Sequence, residues 1–163
     1  MEKQEKLLQA MIQYDGGDPL RIQHFMKVWG FARLIGRLEG LDEETQEILE
    51  TAAIVHDIGI REAERKYGRA DGKLQEQEGP PLANKMLAQL GFPEKLVERV
   101  AWLVGRHHTY TDVEGLDYRI LLEADFLVNL YEENAPETAV KAALEQIFRT
   151  QAGRTLCRTM FGL

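Results

Sequence analysis

Apolar residues recur at intervals of three and four along almost the whole chain, and this periodicity is the feature that most constrains the fold. Such spacing places apolar side chains on one face of an α-helix, whereas a half-buried strand needs strict alternation. Runs of β-branched residues, which favour strands, are few. The sequence therefore predicts an all-α fold, a single compact helical bundle over residues 1–163.

Caps and breakers divide the periodic pattern into helices. Asp18 and Pro19 supply an N-cap followed by a proline in the first helical turn, and Asp42 precedes acidic residues that suit a helix start. From 61 to 79 the periodicity weakens and glycines interrupt it, which predicts a partly irregular segment able to cover a site. We expect helices over 2–14, 19–39, 42–58, 80–90, 93 to 107 or 108, 116–132, and from 136 to the carboxyl terminus.

Length and composition indicate one ordinary globular domain. A chain of 163 residues can bury a core that needs no disulfide or structural metal. Hydrophobic residues make up 44% and charged residues 29%, a typical globular balance. The longest apolar runs, such as 120–122, are too short to cross a bilayer, and residues 1–6 alternate charges without an apolar signal region. We therefore expect a cytoplasmic location and no membrane partner.

Charge and cysteine content exclude several kinds of function. Cys157 is the only cysteine, so neither an internal disulfide nor a cysteine-based zinc cluster can form. A formal net charge of -7 argues against strong binding to phosphate backbones, and we expect no stable nucleic-acid partner. A small anionic substrate is compatible with this charge, because segment 61–73 carries five basic residues. Acidic residues are interleaved there, so a solvated surface of mixed charge is the alternative.

Polar residues interrupt the apolar stripes of three predicted helices. His24 shares a stripe with Leu20, Val28, Phe31 and Ile35, His56 follows a similar stripe, and Asp125 follows another. A buried polar group must be paired or bound. Singly, each histidine can be a hydrogen-bonded core residue, Asp57 can cap a helix, and Asp125 can pair with a buried arginine. Together, two imidazoles and two carboxylates form a mixed site suited to Fe, Mn, Ni, Zn or Mg.

In these residues the chain resembles the HD superfamily of metal-dependent phosphohydrolases, whose pattern is a histidine, a His-Asp pair and a distal aspartate. The pattern reads His24 after Arg21-Ile22-Gln23, His56-Asp57 within residues 53–59, and Asp125 after Leu122-Glu123-Ala124. The motif core spans about 20–130, and the carboxyl-terminal helices of 136–163 lie beyond it. The resemblance implies a bundle of the HD-domain type, one ion bound at all four positions, and hydrolysis of a small phosphate ester, often a nucleotide.

Some members of that superfamily bind a second ion through the aspartate of the pair and additional histidines. His107 and His108 follow an apolar stripe and can reach the site, although a helix C-cap or an exposed pair is their ordinary alternative. A further expected histidine is absent. Gln75, Glu76 and Glu78 occupy its neighbourhood, and we put Glu78, or else Glu76, forward as a replacement ligand, with a surface role as the alternative.

The implied chemistry is hydrolysis by water whose pKa a bound metal lowers towards about 7. Asp57 is the expected residue to orient that water or accept its proton. A basic group is needed near the leaving oxygen and the phosphate, and Arg61 and Lys73 are our catalytic candidates. Arg21 is a further candidate whose ordinary role is an exposed ion pair. The candidates for substrate binding are Arg61, Lys66, Arg69, Lys73 and His108.

Two other functions remain open at this point. Some proteins of this type use a di-iron centre to activate oxygen, and the ligand set admits that. A regulatory domain that binds metal without turnover is the other, and a closed pocket would distinguish it. We expect a small phosphorylated molecule as partner; its identity, the metal and the oligomeric state are left open, a homodimer being one option.

Overall fold

The computed structural model describes residues 2–163, which form nine helices and no strand, so the all-α prediction is confirmed. Met1 lies outside the described residues. None of the described helices combines the length and the apolar character needed to cross a membrane. The helices are α1 (Lys3–Tyr14), α2 (Pro19–Leu38), α3 (Glu43–Val55), α4 (Gly59–Tyr67), α5 (Gly72–Gln89), α6 (Glu94–Val104), α7 (Leu116–Glu132), α8 (Glu137–Gln146) and α9 (Gln151–Phe161).

Side-chain caps begin the second and third helices where the sequence places them. Asp18 accepts a hydrogen bond from the backbone N–H of Arg21 at 3.0 Å, and Pro19 occupies the first helical turn. Asp42 accepts one from the backbone N–H of Thr45 at 2.8 Å. These caps satisfy amide groups that have no partner within the helix, and they fix where α2 and α3 start.

Segment 61–79 is helical, which corrects the expectation of an irregular segment. It contains most of α4 and the first half of α5, separated by a short turn in which Gly68 has a positive φ of 69°. Helix α5 begins at Gly72 behind the N-cap Asp71 and runs through Pro80 and Pro81, which therefore do not restart a helix. Internal prolines cost helical hydrogen bonds. Packing of α5 against α4 and α6 offsets that cost, a tertiary effect that local sequence does not report.

The His-Asp pair lies in a tight turn rather than inside a helix, which corrects the expected end of α3 at 58. Helix α3 ends at Val55, and α4 begins at Gly59. A Cβ atom at Gly59 would lie 2.7 Å from the backbone nitrogen of Gly79 in α5. The close approach of the two backbones at this glycine accompanies the change of chain direction. Helix α6 likewise ends at Val104, and His107 and His108 follow it in a turn.

The core forms where α2, α3, α6 and α7 pack together. Helix α2 contacts both α3 and α7, and α6 contacts α3. Fully buried residues such as Val28, Leu49 and Leu121 belong to one continuous hydrophobic cluster. Leu20 departs from the predicted stripe, because it lies at the end of α2 beyond the core and is 83% exposed. The inward faces of α2 and α7 therefore meet around His24 and Asp125.

The carboxyl-terminal region forms two helices, with residues 147–150 between α8 and α9. Glu123 of α7 is fully buried and accepts hydrogen bonds from the backbone N–H of Arg149 and of Thr150, and from the Thr150 hydroxyl. These bonds attach the start of α9 to α7, the helix that also carries Asp125.

Candidate metal centre

Four donor atoms from three parts of the chain meet in the core. His24 comes from α2, His56 and Asp57 from the turn after α3, and Asp125 from α7, and each is at most 9% exposed. His24 Nε2 lies 3.2 Å from His56 Nε2 and 3.1 Å from both Asp57 Oδ2 and Asp125 Oδ1. His56 Nε2 lies 3.3 Å from the same two oxygens. The structure thus brings the four residues of the predicted first site together.

The hydrogen bonds of the two imidazoles show why a cation fits between these atoms. The Nδ1–H of His56 donates to the carbonyl oxygen of Ala53 at 2.7 Å, and the Nδ1–H of His24 donates to Glu132 Oε1 at 2.7 Å. A neutral imidazole carries one proton, so each Nε2 then presents a lone pair. Two lone pairs and two carboxylate oxygens facing one another repel unless they share a positive ion.

The spacing of these donors also fits a metal ion. Nitrogen and oxygen ligands lie about 2.0–2.2 Å from a zinc ion, and two such ligands 3.2 Å apart subtend an angle of about 100° at it. That angle falls between tetrahedral and octahedral values. The donor set suits Fe, Mn, Ni, Zn and Mg, so it fits a divalent ion without selecting one.

Protons can replace the ion when metal is absent. Burial alone lowers the pKa of His24, but hydrogen bonds to Asp125 and Asp57 outweigh it and raise the pKa to about 9. Burial also opposes charge on His56, yet the charges of Asp57 and Asp125 raise its pKa well above the ordinary value. Burial raises the pKa of Asp57, but the charge of His56 and the hydrogen bonds with the three neighbouring histidines together more than offset it, so the pKa lies well below the ordinary value. Metal and protons therefore compete for the same nitrogen atoms.

Glu132 is a functional candidate that the sequence reasoning missed. It lies in α7, and besides accepting from His24 it pairs through Oε2 with Lys27 Nζ at 2.7 Å. A carboxylate that accepts from the far nitrogen of a ligating histidine fixes the tautomer and the orientation of the ring. The available signal was spacing, since Glu132 follows Asp125 by two helical turns and Lys27 follows His24 by one.

A second group of donors adjoins the first through Asp57. His107 Nε2 lies 3.3 Å from Asp57 Oδ1 and 3.2 Å from Gln75 Oε1, while its Nδ1–H donates to the carbonyl oxygen of Val104 at 2.7 Å. His108 Nε2 lies 2.6 Å from the same Gln75 oxygen. Gln75 Nε2 donates to the carbonyl oxygen of Ala70, which turns Oε1 towards the histidines. Asp57, His107 and His108 together satisfy the spacing of a metal site.

The glutamates proposed as replacement ligands have other partners. Glu78 Oε1 pairs with Lys66 Nζ at 2.7 Å, and Glu78 Oε2 accepts from the Tyr67 hydroxyl at 3.4 Å. Glu76 Oε2 accepts from the backbone N–H of His108 at 3.0 Å. Gln75, rather than Glu78 or Glu76, therefore contacts the imidazole rings of the histidine pair. Helix α5 presents one face to the histidines, and Glu78 lies nearer α4.

The basic residues of segment 61–73 do not line the cleft above these donors. Arg61 donates to the carbonyl oxygen of Tyr14, and Lys66 pairs with Glu78. Arg69 pairs with Asp71 at 2.9 Å, and Lys73 is exposed. The segment is mostly α4, which packs against α5, and these basic residues are absent from the lining of the cleft. The roles in substrate binding or catalysis that the sequence analysis gave these residues stay a prediction, and no contact between them and the metal-site residues supports it.

A cavity of 770 Å³ opens onto both donor groups. His24, Asp57 and Asp125 reach it from the first group, and Gln75 and His108 reach it from the second. Burial and the neighbouring His107 lower the pKa of His108 to about 4, so this imidazole is neutral at pH 7. The cavity has the size of a site for a small molecule. The cleft lining also contains Arg21, Lys27, Asn129, Tyr131 and Glu132.

An all-helical fold around a His, His-Asp and Asp cluster is that of the metal-dependent hydrolase superfamily. Comparison with protein families matches residues 21–145 to the HD domain, and the chain belongs to this family. A similar solved structure is a predicted HD superfamily hydrolase from an uncultured Thermotogales bacterium, with 25% identity and a TM-score of 0.68. The match covers 97% of this chain and 84% of that one. Comparison with curated proteins found no match.

Proposed function

We propose that the protein is a metal-dependent phosphohydrolase that cleaves a small phosphate ester, with a nucleotide as the leading candidate. The observation that carries this proposal is the convergence of two imidazole nitrogens and two carboxylate oxygens, 3.1–3.3 Å apart along five contacts, at an open cleft. A cleft that reaches the donors favours turnover over a binding domain with a closed pocket.

His24, His56, Asp57 and Asp125 would hold the ion. When bound, a divalent ion supplies Lewis acidity, which lowers the pKa of water towards about 7 and offsets phosphoryl charge. Asp57 lines the cleft and has its pKa held well below the usual range by His56 and the neighbouring hydrogen bonds, so its carboxylate is ionised and can orient the attacking water by accepting a hydrogen bond. When only the first site holds an ion, neutral His108, which also lines the cleft, is our candidate to contact the leaving oxygen.

We further propose that Asp57, Gln75, His107 and His108 can hold a second ion. Asp57 directs Oδ2 to the first group and Oδ1 to the second, so one carboxylate adjoins both. An amide oxygen is a weaker ligand for transition metals than an imidazole is, and the second ion should bind less tightly than the first.

The test is to purify the protein without chelator, count its metals by mass spectrometry, and screen phosphate monoesters and nucleotides for hydrolysis. Asp57→Asn should lose bound metal and activity. Asp112→Asn is the matched control, because Asp112 is exposed and its backbone φ of 54° suits asparagine as well. Phosphate ester hydrolysis that survives intact in Asp57→Asn contradicts the proposed mechanism.

Oxygen activation by two iron ions is the second candidate, and the position of Asp57 between two donor groups is the observation that favours it. Spectroscopy of protein loaded with iron separates the two functions. A coupled iron pair that consumes oxygen, without hydrolysis of any phosphate ester, supports the oxygenase. Hydrolysis supported by manganese or magnesium supports the phosphohydrolase.

A further inference from the structure

The cleft contains one arginine whose hydrogen-bond donors are not taken by a carboxylate. In residues 2–163, the lysine and arginine residues that line the cleft are Lys27 and Arg21. Lys27 Nζ lies 2.7 Å from Glu132 Oε2, a close ion pair. Arg21 Nη1 lies 3.8 Å from Asp57 Oδ2, which is beyond hydrogen-bond distance. Arg21 is thus attracted to the metal centre while its N–H groups remain available.

The local structure holds Arg21 in position. It lies one helical turn before His24, and its backbone N–H is bonded to the N-cap Asp18. Its side chain is 28% exposed, so the guanidinium is partly removed from water but still reaches the cleft. A guanidinium in such surroundings forms stronger hydrogen bonds than it does on an open surface.

The other charged groups of the cleft restrict where an anion can bind. Asp18, Glu132 and Glu133 also line the cavity, and their negative charges repel phosphate. Glu132 neutralises Lys27, as described. An anionic group therefore has one favourable position, next to Asp57, where Arg21 lies and where the residues of the first site would hold an ion. The outer lining is instead partly apolar, with Leu20 83% and Tyr131 68% exposed.

We propose that Arg21 binds the phosphoryl group of the substrate, and that the substrate carries a single terminal phosphate on an organic group that contacts Leu20 and Tyr131. This inference rests on the proposed function. The planar guanidinium matches two phosphoryl oxygens with two parallel N–H donors. A nucleoside triphosphate would direct additional negative charge towards Glu132 and Glu133, so the cleft favours monophosphate esters over polyphosphates.

The test compares Arg21→Gln and Arg21→Lys in protein loaded with manganese. The probes are p-nitrophenyl phosphate as substrate and inorganic phosphate as inhibitor. Arg21→Gln should raise both the KM and the inhibition constant of phosphate at least tenfold and leave the bound manganese unchanged. Arg21→Lys keeps the positive charge but lacks the two parallel N–H donors of the guanidinium, so it should restore part of the affinity for phosphate. Arg33→Gln is the matched control, since Arg33 lies on the same helix with Nη1 also 3.8 Å from a carboxylate, Glu50.

The possible outcomes separate this inference from the proposed function. If both constants in Arg21→Gln stay within twofold of the wild type, or if ATP is cleaved more efficiently than AMP, the inference is overturned while hydrolysis stands. If the wild type cleaves no ester, calorimetry with inorganic phosphate replaces the kinetics. Weaker phosphate binding in Arg21→Gln than in Arg33→Gln then supports Arg21, although the proposed function fails. Equal binding in the two variants refutes the inference.

Discussion

Replacing Glu132 with alanine should weaken metal binding without removing any residue that faces the ion. Glu132 accepts the Nδ1–H of His24 at 2.7 Å and is itself held by Lys27 at 2.7 Å. By contrast, His56 and His107 donate their Nδ1–H groups to backbone carbonyls, which no side-chain substitution removes. Without Glu132, the His24 ring can rotate and can carry its proton on Nε2, the atom that must be free to bind metal.

The expected loss of metal affinity can be estimated from other metalloproteins in which a side chain orients a ligating histidine. Removing the group that orients a ligating histidine costs about 10–100-fold in metal affinity. That range corresponds to about 1.4–2.8 kcal/mol of binding free energy at 25 °C. The structure supports a value inside the range, because the bond is short, charge-assisted and tied to Lys27, while three other donors of the first site stay in place.

The assay is calorimetric titration of metal-stripped protein with manganese or zinc, using a competing chelator if binding is tight. Glu133→Ala is the control, since Glu133 is the adjacent glutamate and also lines the cleft, but it forms no ion pair or side-chain hydrogen bond with the centre. An affinity of Glu132→Ala within twofold of the wild type, or an equal loss in Glu133→Ala, refutes the reasoning about His24.

Three further predictions concern stability and metal number. In metal-free protein the pKa of His24 is raised from 6.5 to about 9, so protonated His24 stabilises the fold fully below pH 6.5, and this contribution is lost as the pH rises through 9. Denaturation by urea should show that the free energy of unfolding falls by an amount on the order of 3 kcal/mol across this pH window, and metal-loaded protein should not show this fall. Gly59→Ala should lower the free energy of unfolding by about 1–3 kcal/mol, because its Cβ would meet backbone atoms of Gly79 and Gln75 at 2.7–2.9 Å; an unchanged urea midpoint contradicts this. Gln75→His should retain two metal ions per chain after dialysis where the wild type retains one, as counted by mass spectrometry, and equal counts would show that Gln75 does not limit the second site.

The helical fold and the first four donors could be predicted because both depend on which face of a helix is buried. An apolar stripe of period three and four places His24 and Asp125 inward whatever the details of packing. The end of α3 could not be predicted in the same way. Val55 and Ile58 continue the apolar pattern, and only the contact of Gly59 with the backbone of α5 marks the turn.

The start of helix α5 was predicted wrongly because local sequence preference did not decide it. Pro80 and Pro81 favour a helix start there, yet the helix begins at Gly72, because packing against α4 and α6 outweighs local preference. The error had a consequence for function. An irregular segment was expected to cover the site with basic residues, whereas an ordered helix directs Gln75 inward and leaves Lys73 exposed.

The sequence missed Glu132 and named Arg21 only as a further candidate, because the roles of both depend on a cleft that exists only after α2 and α7 have packed. In the sequence both are charged residues on a helix, and an exposed ion pair is the ordinary reading of such residues. Only the assembled structure shows that Glu132 is hydrogen-bonded to His24 and that Arg21 lies 3.8 Å from Asp57.

The buried centre contains two carboxylates, and its charge explains how one fold can accommodate the metal-free and the metal-bound states. Raised pKa values on His24 and His56 supply two protons that neutralise Asp57 and Asp125 when metal is absent. A divalent ion carries the same charge and displaces those protons, so neither state leaves an unpaired charge in the core. A monovalent ion would leave one carboxylate uncompensated, and a trivalent ion would leave an excess positive charge. The number of buried carboxylates therefore favours a divalent ion, even though the donor atoms alone do not select the element.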